Sequence, residues 1–368
     1  MIDPRVLIVY NEPVLPPDHP DYGSESDVLY SAKIVRESLT TLGIPNASFG
    51  VTDDVPALLA RLMLRDFDVV FNLYEGNADF SITEVYFTGL LEWLRLPYTG
   101  CPSTTLGIAR NKVLAKQLFQ AAGIRTPEFA VWDDGTKLPL HLGWPLIVKP
   151  AAEDASVGID QGSVVSGEAE LRARAKYVRE TYGGAILVER YIAGREIQVS
   201  LADLGGKNEP TVLSFSEIAF EPTAGKSLWP VYTYTAKWDE TSDEYKGAPV
   251  VVGAKVPAAV RSRLNETSQK VFQLLECRDY ARVDTRITEA GDVYVLELNP
   301  NPSITSVMID EGLPSVGWTY DEFVGAVVRN AAARTTGPVG HRRVRGESAG
   351  PSDEKIATDV AKDTHTGE

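Results

Sequence analysis

The segment ARVDTRITEAGDVYVLELNPNP, residues 281–302, concentrates the side chains best able to do chemistry. It predicts two strands around a turn at Glu289, Ala290, Gly291 and Asp292. A turn centred between Ala290 and Gly291 sets Asp284 opposite Glu297 and Arg282 opposite Asn299. Period-two alternation sorts the faces. Val283, Thr285, Ile287, Tyr294, Leu296 and Leu298 make an apolar face, and Arg282, Asp284, Arg286, Val295, Glu297 and Asn299 make the other. Two facing carboxylates repel unless positive charge lies between them. Mg²⁺ meets that need, because it combines one or two carboxylates with substrate phosphates. A solvent-facing sheet on which Arg282 and Arg286 neutralise the acids meets it equally.

Leu146-Ile147-Val148-Lys149-Pro150 reads as an apolar strand ending in a lysine, followed by AAEDASVGIDQGS with Gly158 and Gly162. A lysine beside unobstructed backbone N–H groups suits a phosphate. The segment is not GxxxxGK[ST], and no GxGxxG follows a strand. A plain turn accounts for the loop on its own. Lys112, at the start of a predicted helix, is a second phosphate candidate, although an exposed helix lysine explains it when it is taken alone. ILVERYIAGREIQVSLAD sets Glu189 at a strand end, Gly194 in a short turn and Glu196 at the next strand. Backbone between two such strands can read adenine, and nearby carboxylates can bond the amino group and ribose hydroxyls. Acids at strand ends are also commonplace in structures with no ligand there.

The elements that must hold these groups follow from periodicity. Val6 to Tyr10, Ala47 to Val51 and Phe67 to Leu73 predict strands, alternating with helices over Ser26 to Leu42, Val55 to Leu64 and Glu84 to Leu94. That alternation implies an open α/β layer with a largely parallel sheet. A helix over Asn111 to Ala122 precedes short strands at Phe129 to Trp132, Leu146 to Lys149 and Ile186 to Glu189. Longer strands follow at Glu196 to Ala202, Val212 to Ile218, Arg282 to Ile287 and Val293 to Leu298, with helices over Pro257 to Leu275 and Tyr320 to Ala333. From Thr335 the chain lacks aromatic residues and is rich in Gly, Ser, Thr and charge, so residues 335–368 are expected to be a disordered, solvated tail.

The 368 residues suffice for two or three domains, and 43% hydrophobic with 24% charged residues is an ordinary soluble composition. A net charge of −15 argues against a nucleic-acid partner. Cys101 and Cys277 are too few for a disulfide framework. No secretory signal and no membrane-length apolar run is apparent, so a cytoplasmic protein with reduced thiols is expected. His19, His141, His341 and His365 show no metal-ligand spacing, and no Ser-His-Asp or Cys-His set stands out.

Taken together and in order, these segments resemble the ATP-grasp superfamily, and within it the D-alanine–D-alanine ligases. The resemblance spans residues 5–333 and rests on 23–35, 90–127, 144–159, 186–201 and 281–305. It implies an α+β ATP-grasp fold: an N-terminal α/β domain over 1–105, a small subdomain over 106–187 and a large subdomain over 188–334 carrying the metal site. By position, Lys112 and Lys149 would hold ATP phosphates, beneath a loop containing Ser156 and Gly158. Glu189 would meet the adenine amino group, Tyr191 and Ile192 would form the hinge, and Glu196 would take the ribose hydroxyls. Asp284, Glu297 and Asn299 would ligate two Mg²⁺ ions, with Mn²⁺ an alternative. Arg282 would stabilise the transferring phosphate and then the oxyanion, Lys237 would approach the phosphates, and Glu25 would meet the first substrate's amine.

The acceptor half departs from the family. Ala155 replaces a serine, Trp238 a tyrosine, Ser303 a glycine whose backbone approaches the reacting carboxyl, and Met308 a serine that helps hold a substrate carboxylate. Losing a hydroxyl from a carboxylate site costs about 1–3 kcal/mol. The expectation is a carboxylate–amine ligase that proceeds through an acyl phosphate, releases ADP and phosphate, and acts on small amino-acid-like molecules other than two D-alanines. A divergent D-alanine–D-alanine ligase and a non-catalytic nucleotide-binding protein are the alternatives. A homodimer is the family expectation.

Overall fold

The computed structural model describes residues 4–15, 22–77, 80–132, 139–152, 156–221, 227–305 and 312–334, with only the backbone of 22–25. Strand β1 (Val6–Asn11) is an apolar run buried on both faces. It lies between β2 (Asn46–Val51) and β3 (Val69–Leu73), parallel to both. Parallel neighbours require crossovers, supplied by α1 (Tyr22–Thr41) and α2 (Val55–Met63). Asp54 caps α2 by accepting from the Ala57 N–H at 2.9 Å, and Leu58 and Leu62 face inward. Helix α3 (Thr83–Trp93) leads to Tyr98, which bridges in parallel to Val70.

Two short helices, α4 (Ser103–Arg110) and α5 (Lys112–Ala121), come next, with Asn111 capping α5 through the Leu114 N–H. An antiparallel sheet follows, of β4 (Phe129–Trp132), β5 (Leu146–Pro150), β6 (Val164–Val165) and β7 (Ile186–Arg190), in the order β4-β7-β5-β6. Helix α6 (Glu168–Tyr182) backs it with Leu171, Ala175 and Val178 against Leu146 and Val148.

The third sheet is antiparallel, with β8 (Arg195–Ala202), β9 (Thr211–Ile218), β10 (Val250–Val252), β11 (Tyr280–Ile287) and β12 (Val293–Asn299) in the order β10-β9-β8-β11-β12. Its apolar face packs Ile197, Val199, Val283 and Val295 against Phe119 of α5 and against Leu264 and Phe272 of α9 (Ala258–Leu274). Before α9, two one-turn helices, α7 (Tyr234–Trp238) and α8 (Asp243–Lys246), lie between β9 and β10. After β12 the short α10 (Leu313–Ser315) precedes α11 (Tyr320–Ala333), which opens on a Thr319–Glu322 capping box. Phe323, Val324 and Val327 of α11 share a core with Val6 and Ile8 of β1, which ties the end of this unit to its start. Arg334 completes the tie, donating at 2.8 and 2.7 Å to the buried Asp279, which also accepts from the Gly100 N–H.

Every helix and strand expected from periodicity is present, with shifted ends. Helices α4 and α6 lay outside the expectation. In α6 only the i, i+4, i+7 stripe of 171, 175 and 178 is buried apolar surface, diluted among charges. The hairpin carries a second correction. Arg282 pairs with Asn299 and Asp284 with Glu297 as expected, but beyond them Thr285 pairs with Val295 and Arg286 with Tyr294. Leu296 is thus an extra residue on β12, a bulge. It moves Val295 off the polar face and into the core, fully buried, and leaves Tyr294 off the core face. The tail from Thr335 lies outside the described residues. Among the described residues no helix is long and apolar enough to cross a membrane.

Candidate active site

A cleft of about 1300 Å³ gathers the expected groups. Lys149, Ser156, Gly158, Glu189, Tyr191, Ile192 and Glu196 line it from β5, β7, β8 and their loops. Lys237, Arg282, Asp284, Glu297, Asn299 and Ser303 line it from α7, β11, β12 and the turn after β12. Lys112 meets this group from behind, buried, with Nζ 3.0 Å from Glu297 Oε2. The Glu25 side chain, Ala155 and Met308 fall outside the described residues.

The floor of the cleft is a buried charge triad. Glu189, 1% exposed, has Lys149 Nζ 3.0 Å from Oε2 and Lys116 Nζ 2.9 Å from Oε1. Lys116 also donates to Thr126 Oγ1 at 2.8 Å, so one ammonium with three N–H donors bridges Glu189 and Thr126. Burial opposes ionisation of Glu189, but the two lysines outweigh it and hold the carboxyl below the usual range. Burial pulls Lys116 down to about 8 against the pull of Glu189. Sequence reasoning missed Lys116. Its signal was the spacing of four from Lys112, which sets both on one side of α5.

The segment after β5 is held by another residue that sequence reasoning missed, Arg174 on α6. Its guanidinium donates to Gly158 O, Ser163 Oγ and Asp160 Oδ2, each at 2.7 Å. Gly158 has φ +73°, and a Cβ there would lie 2.7 Å from Pro150 Cγ. Ser156 Oγ donates to Tyr232 O at 2.9 Å, and the Tyr234 N–H donates to Ile159 O at 3.0 Å. These bonds seat the 229–238 segment, with Lys237, on the loop.

Glu196 faces Arg286 across the β8–β11 ladder and accepts both its Nε and Nη2 on Oε2, at 3.0 and 2.8 Å. Burial raises the Glu196 carboxyl and Arg286 opposes the shift. Gly194, in the turn before β8, has φ +142°, and a Cβ there would lie 2.0 Å from Ile287 O.

On the hairpin face Arg282 grips Asp284 with two bonds of 2.7 and 2.9 Å. Glu297 is neutralised by Lys112 from α5, not by a hairpin arginine. Burial disfavours its charge, yet Lys112 and Lys149 hold its carboxyl at about 2. Asn299 Oδ1 accepts from the Asn301 N–H at 3.0 Å. Asp284, Glu297 and Asn299 thus present hard oxygen donors beside Arg282, Lys112 and Lys149, a set suited to a divalent ion shared with phosphates. No cluster of three or more His, Cys, Asp or Glu side chains forms a metal site among the described residues.

Burial lowers the pKa of Lys237, and Arg282 of the hairpin adds to the shift. Glu75 lines the same region, from the loop after β3, and sequence reasoning did not single it out. The side chain is exposed, yet the surrounding walls of the cleft desolvate it and, with Asp27 nearby, push its carboxyl up to about 7 against the pull of Lys237. Trp238 also lines the cleft, and its buried Nε1 has no hydrogen-bond partner among the described residues.

Residues 118–329 match the family model described as D-ala D-ala ligase C-terminus. A D-alanine–D-alanine ligase of Synechococcus sp. (strain JA-3-3Ab) is 30% identical over 312 residues, 83% of this chain and 89% of that one. An uncharacterized protein of Sinorhizobium fredii is 34% identical over 245 residues, 66% of this chain and 68% of its own. Among solved structures, a D-alanine–D-alanine ligase from Bacillus anthracis complexed with ATP has a TM-score of 0.66 at 19% identity, covering 90% of this chain and 97% of that one. The chain belongs to the D-alanine–D-alanine ligase family, with the ATP-grasp fold, and is a carbon–nitrogen ligase.

Proposed function

We propose that this chain uses ATP to activate a carboxylate as an acyl phosphate and joins it to an amine, on amino-acid-like substrates other than two D-alanines. The observation that carries the reading is the pairing of Asp284 with Glu297 and Arg282 with Asn299 on one sheet face, beside Lys112 and Lys149. Glu189 lines the cleft, and its carboxylate suits the adenine amino group. Tyr191 and Ile192 would supply the hinge, and Glu196 would meet the ribose. The domain division at 105, 187 and 334 accompanies this reading, as do a cytoplasmic location and a homodimer.

Mg²⁺, or Mn²⁺ in its stead, held by Asp284, Glu297 and Asn299, would neutralise phosphate charge. The residues of the chain do the rest by positioning and electrostatics. Arg282 and Lys112, which pair with Asp284 and Glu297, would offset phosphate charge beside that ion. The substrate carboxylate attacks the terminal phosphorus and ADP leaves. The amine then attacks the acyl carbon and phosphate leaves. Arg282 faces the oxyanion, a role worth about 2.7–4 kcal/mol where such donors have been removed.

Trp238 and Ser303, both departing from the family and both lining the cleft, favour an acceptor other than D-alanine. The D-alanine–D-alanine ligases among the relatives favour the second reading, a divergent enzyme of that activity. ADP release measured with a panel of D- and L-amino acids separates the two. Turnover confined to D-alanine refutes the first, and turnover with another amine but not D-alanine supports it.

A further inference from the structure

Arg286 has no part in the proposed chemistry, yet it is only 4% exposed and lines the cleft. It stands across from Glu196 and gives both Nε and Nη2 to one oxygen, Oε2. An ordinary arginine–carboxylate fork spends both oxygens. Here the end-on grip leaves Oε1 to other partners, and an ionised carboxylate oxygen offers about two lone-pair sites. The same guanidinium donates to Gly194 O at 3.2 Å and to Pro230 O. It lies over the rings of Tyr191 and Phe220, at 5.5 and 5.2 Å from their centroids. Tyr191 also donates to Pro230 O at 3.0 Å, and its ring meets Trp229 at 5.5 Å. A single cation thus joins the Glu196 carboxylate, the hinge backbone and the start of the segment that leads to Lys237.

We infer that Arg286 is a positioning residue for nucleotide recognition: it presents one oxygen of Glu196 to the ribose hydroxyls and fastens residues 229–231 to the hinge. The inference rests on the proposed nucleotide reading of the cleft. A guanidinium retained only to balance charge has no need of two backbone carbonyls from separate segments. Those carbonyls fix its plane, and that plane fixes the carboxylate.

The test is calorimetric titration of the full chain with ATP, 2′-deoxyATP and 3′-deoxyATP in the presence of Mg²⁺. A hydroxyl bonded to a charged carboxylate is worth about tenfold or more in affinity, so the unaltered protein should prefer ATP over the deoxy forms by that factor. Arg286→Met should shrink the preference to about twofold; the lost bonds to Gly194 O and Pro230 O weaken all three nucleotides alike, so the ratio alone reads the placing of Glu196. Arg286→Lys should fall between the two. In a Glu196→Gln background, Arg286→Met should alter the preference no further, since the arginine acts through the carboxylate. This double variant also strands no buried charge, so it keeps the test available where Arg286→Met alone does not fold. Weakening of ATP and deoxyATP by Arg286→Met with the preference intact, the mark of a merely structural role, overturns the inference. Equal binding of ATP and deoxyATP by the unaltered protein also overturns it, and leaves the ligase reading standing. Binding of no nucleotide at all overturns the nucleotide reading and the inference together.

Discussion

Replacing Lys116 by Met tests whether the floor of the cleft is held by its charge triad. Lys116 and Glu189 are each 1% exposed, so neither can turn to water when its partner is lost. Removing one partner of a buried pair costs about 3–5 kcal/mol. Lys149 remains 3.0 Å from the other oxygen of Glu189, which puts the loss at the low end, about 3 kcal/mol. Met fills nearly the same volume, so no cavity term is added. Thr126 keeps its own bond to Val295 O and loses only the incoming donor, a change of about 1 kcal/mol at most. Equilibrium urea unfolding of the nucleotide-free protein reads the loss as a lower midpoint at unchanged slope. The double variant Lys116→Met/Glu189→Gln should recover none of it, because the buried Lys149 then loses its carboxylate partner. A loss under about 1 kcal/mol for the single variant, or a double variant more stable than the single, would refute the reasoning.

Three further outcomes follow from the geometry. Glu297→Gln should cut ADP release about a hundredfold or more while the far-ultraviolet circular dichroism is unchanged, because even the residues behind metal ligands are worth 10–100-fold; undiminished release would remove Glu297 from the metal set. Gly194→Ala should destabilise by about 1–3 kcal/mol or more, since the added carbon meets the Ile287 carbonyl in a backbone region that L-residues avoid; an unchanged melting temperature would contradict the turn as built. Glu75→Gln carries a pH dependence: with its carboxyl raised to about 7, the native state binds a proton that the unfolded chain releases nearer 4.5. Glu75 therefore favours the native state at acid pH, and this contribution is lost as pH rises through 7. The melting temperature of Glu75→Gln relative to the unaltered protein should climb between pH 5 and 8, and a flat difference would place the carboxyl in ordinary solvent.

The hairpin was legible because its register follows from a turn position and a period of two, both local properties of the chain. The parallel N-terminal layer was legible for the same reason, through clear alternation of element types. The bulge at Leu296 was not, since a leucine in an apolar run leaves no mark of which residue goes unpaired. Lys116 and Arg174 were passed over because a charged residue on a helix reads as solvent-facing until a neighbouring strand or loop covers it. Arg286 was seen, but its partners were not: the sequence offered it to the hairpin acids, whereas the ladder sets it against Glu196 and Asp284 goes to Arg282. Pairings between strands far apart in the chain, and between distant loops and helices, are what a single sequence conceals.

The bulge also bears on how this site can change over time. Val293 and Val295 below it serve the core, while Glu297 and Asn299 above it serve the cleft, so one strand changes allegiance at one residue. Substitutions of Leu296 leave that count intact. Deleting it sets Val295 next to Glu297, and an unbroken ladder already sends neighbours to opposite faces, so every pairing survives. A deletion elsewhere in the strand has the opposite effect: either the valines turn toward the cleft or Glu297 and Asn299 turn into the core. The hairpin can therefore shed this one residue and keep both faces, whereas the spacing on either side of it is locked.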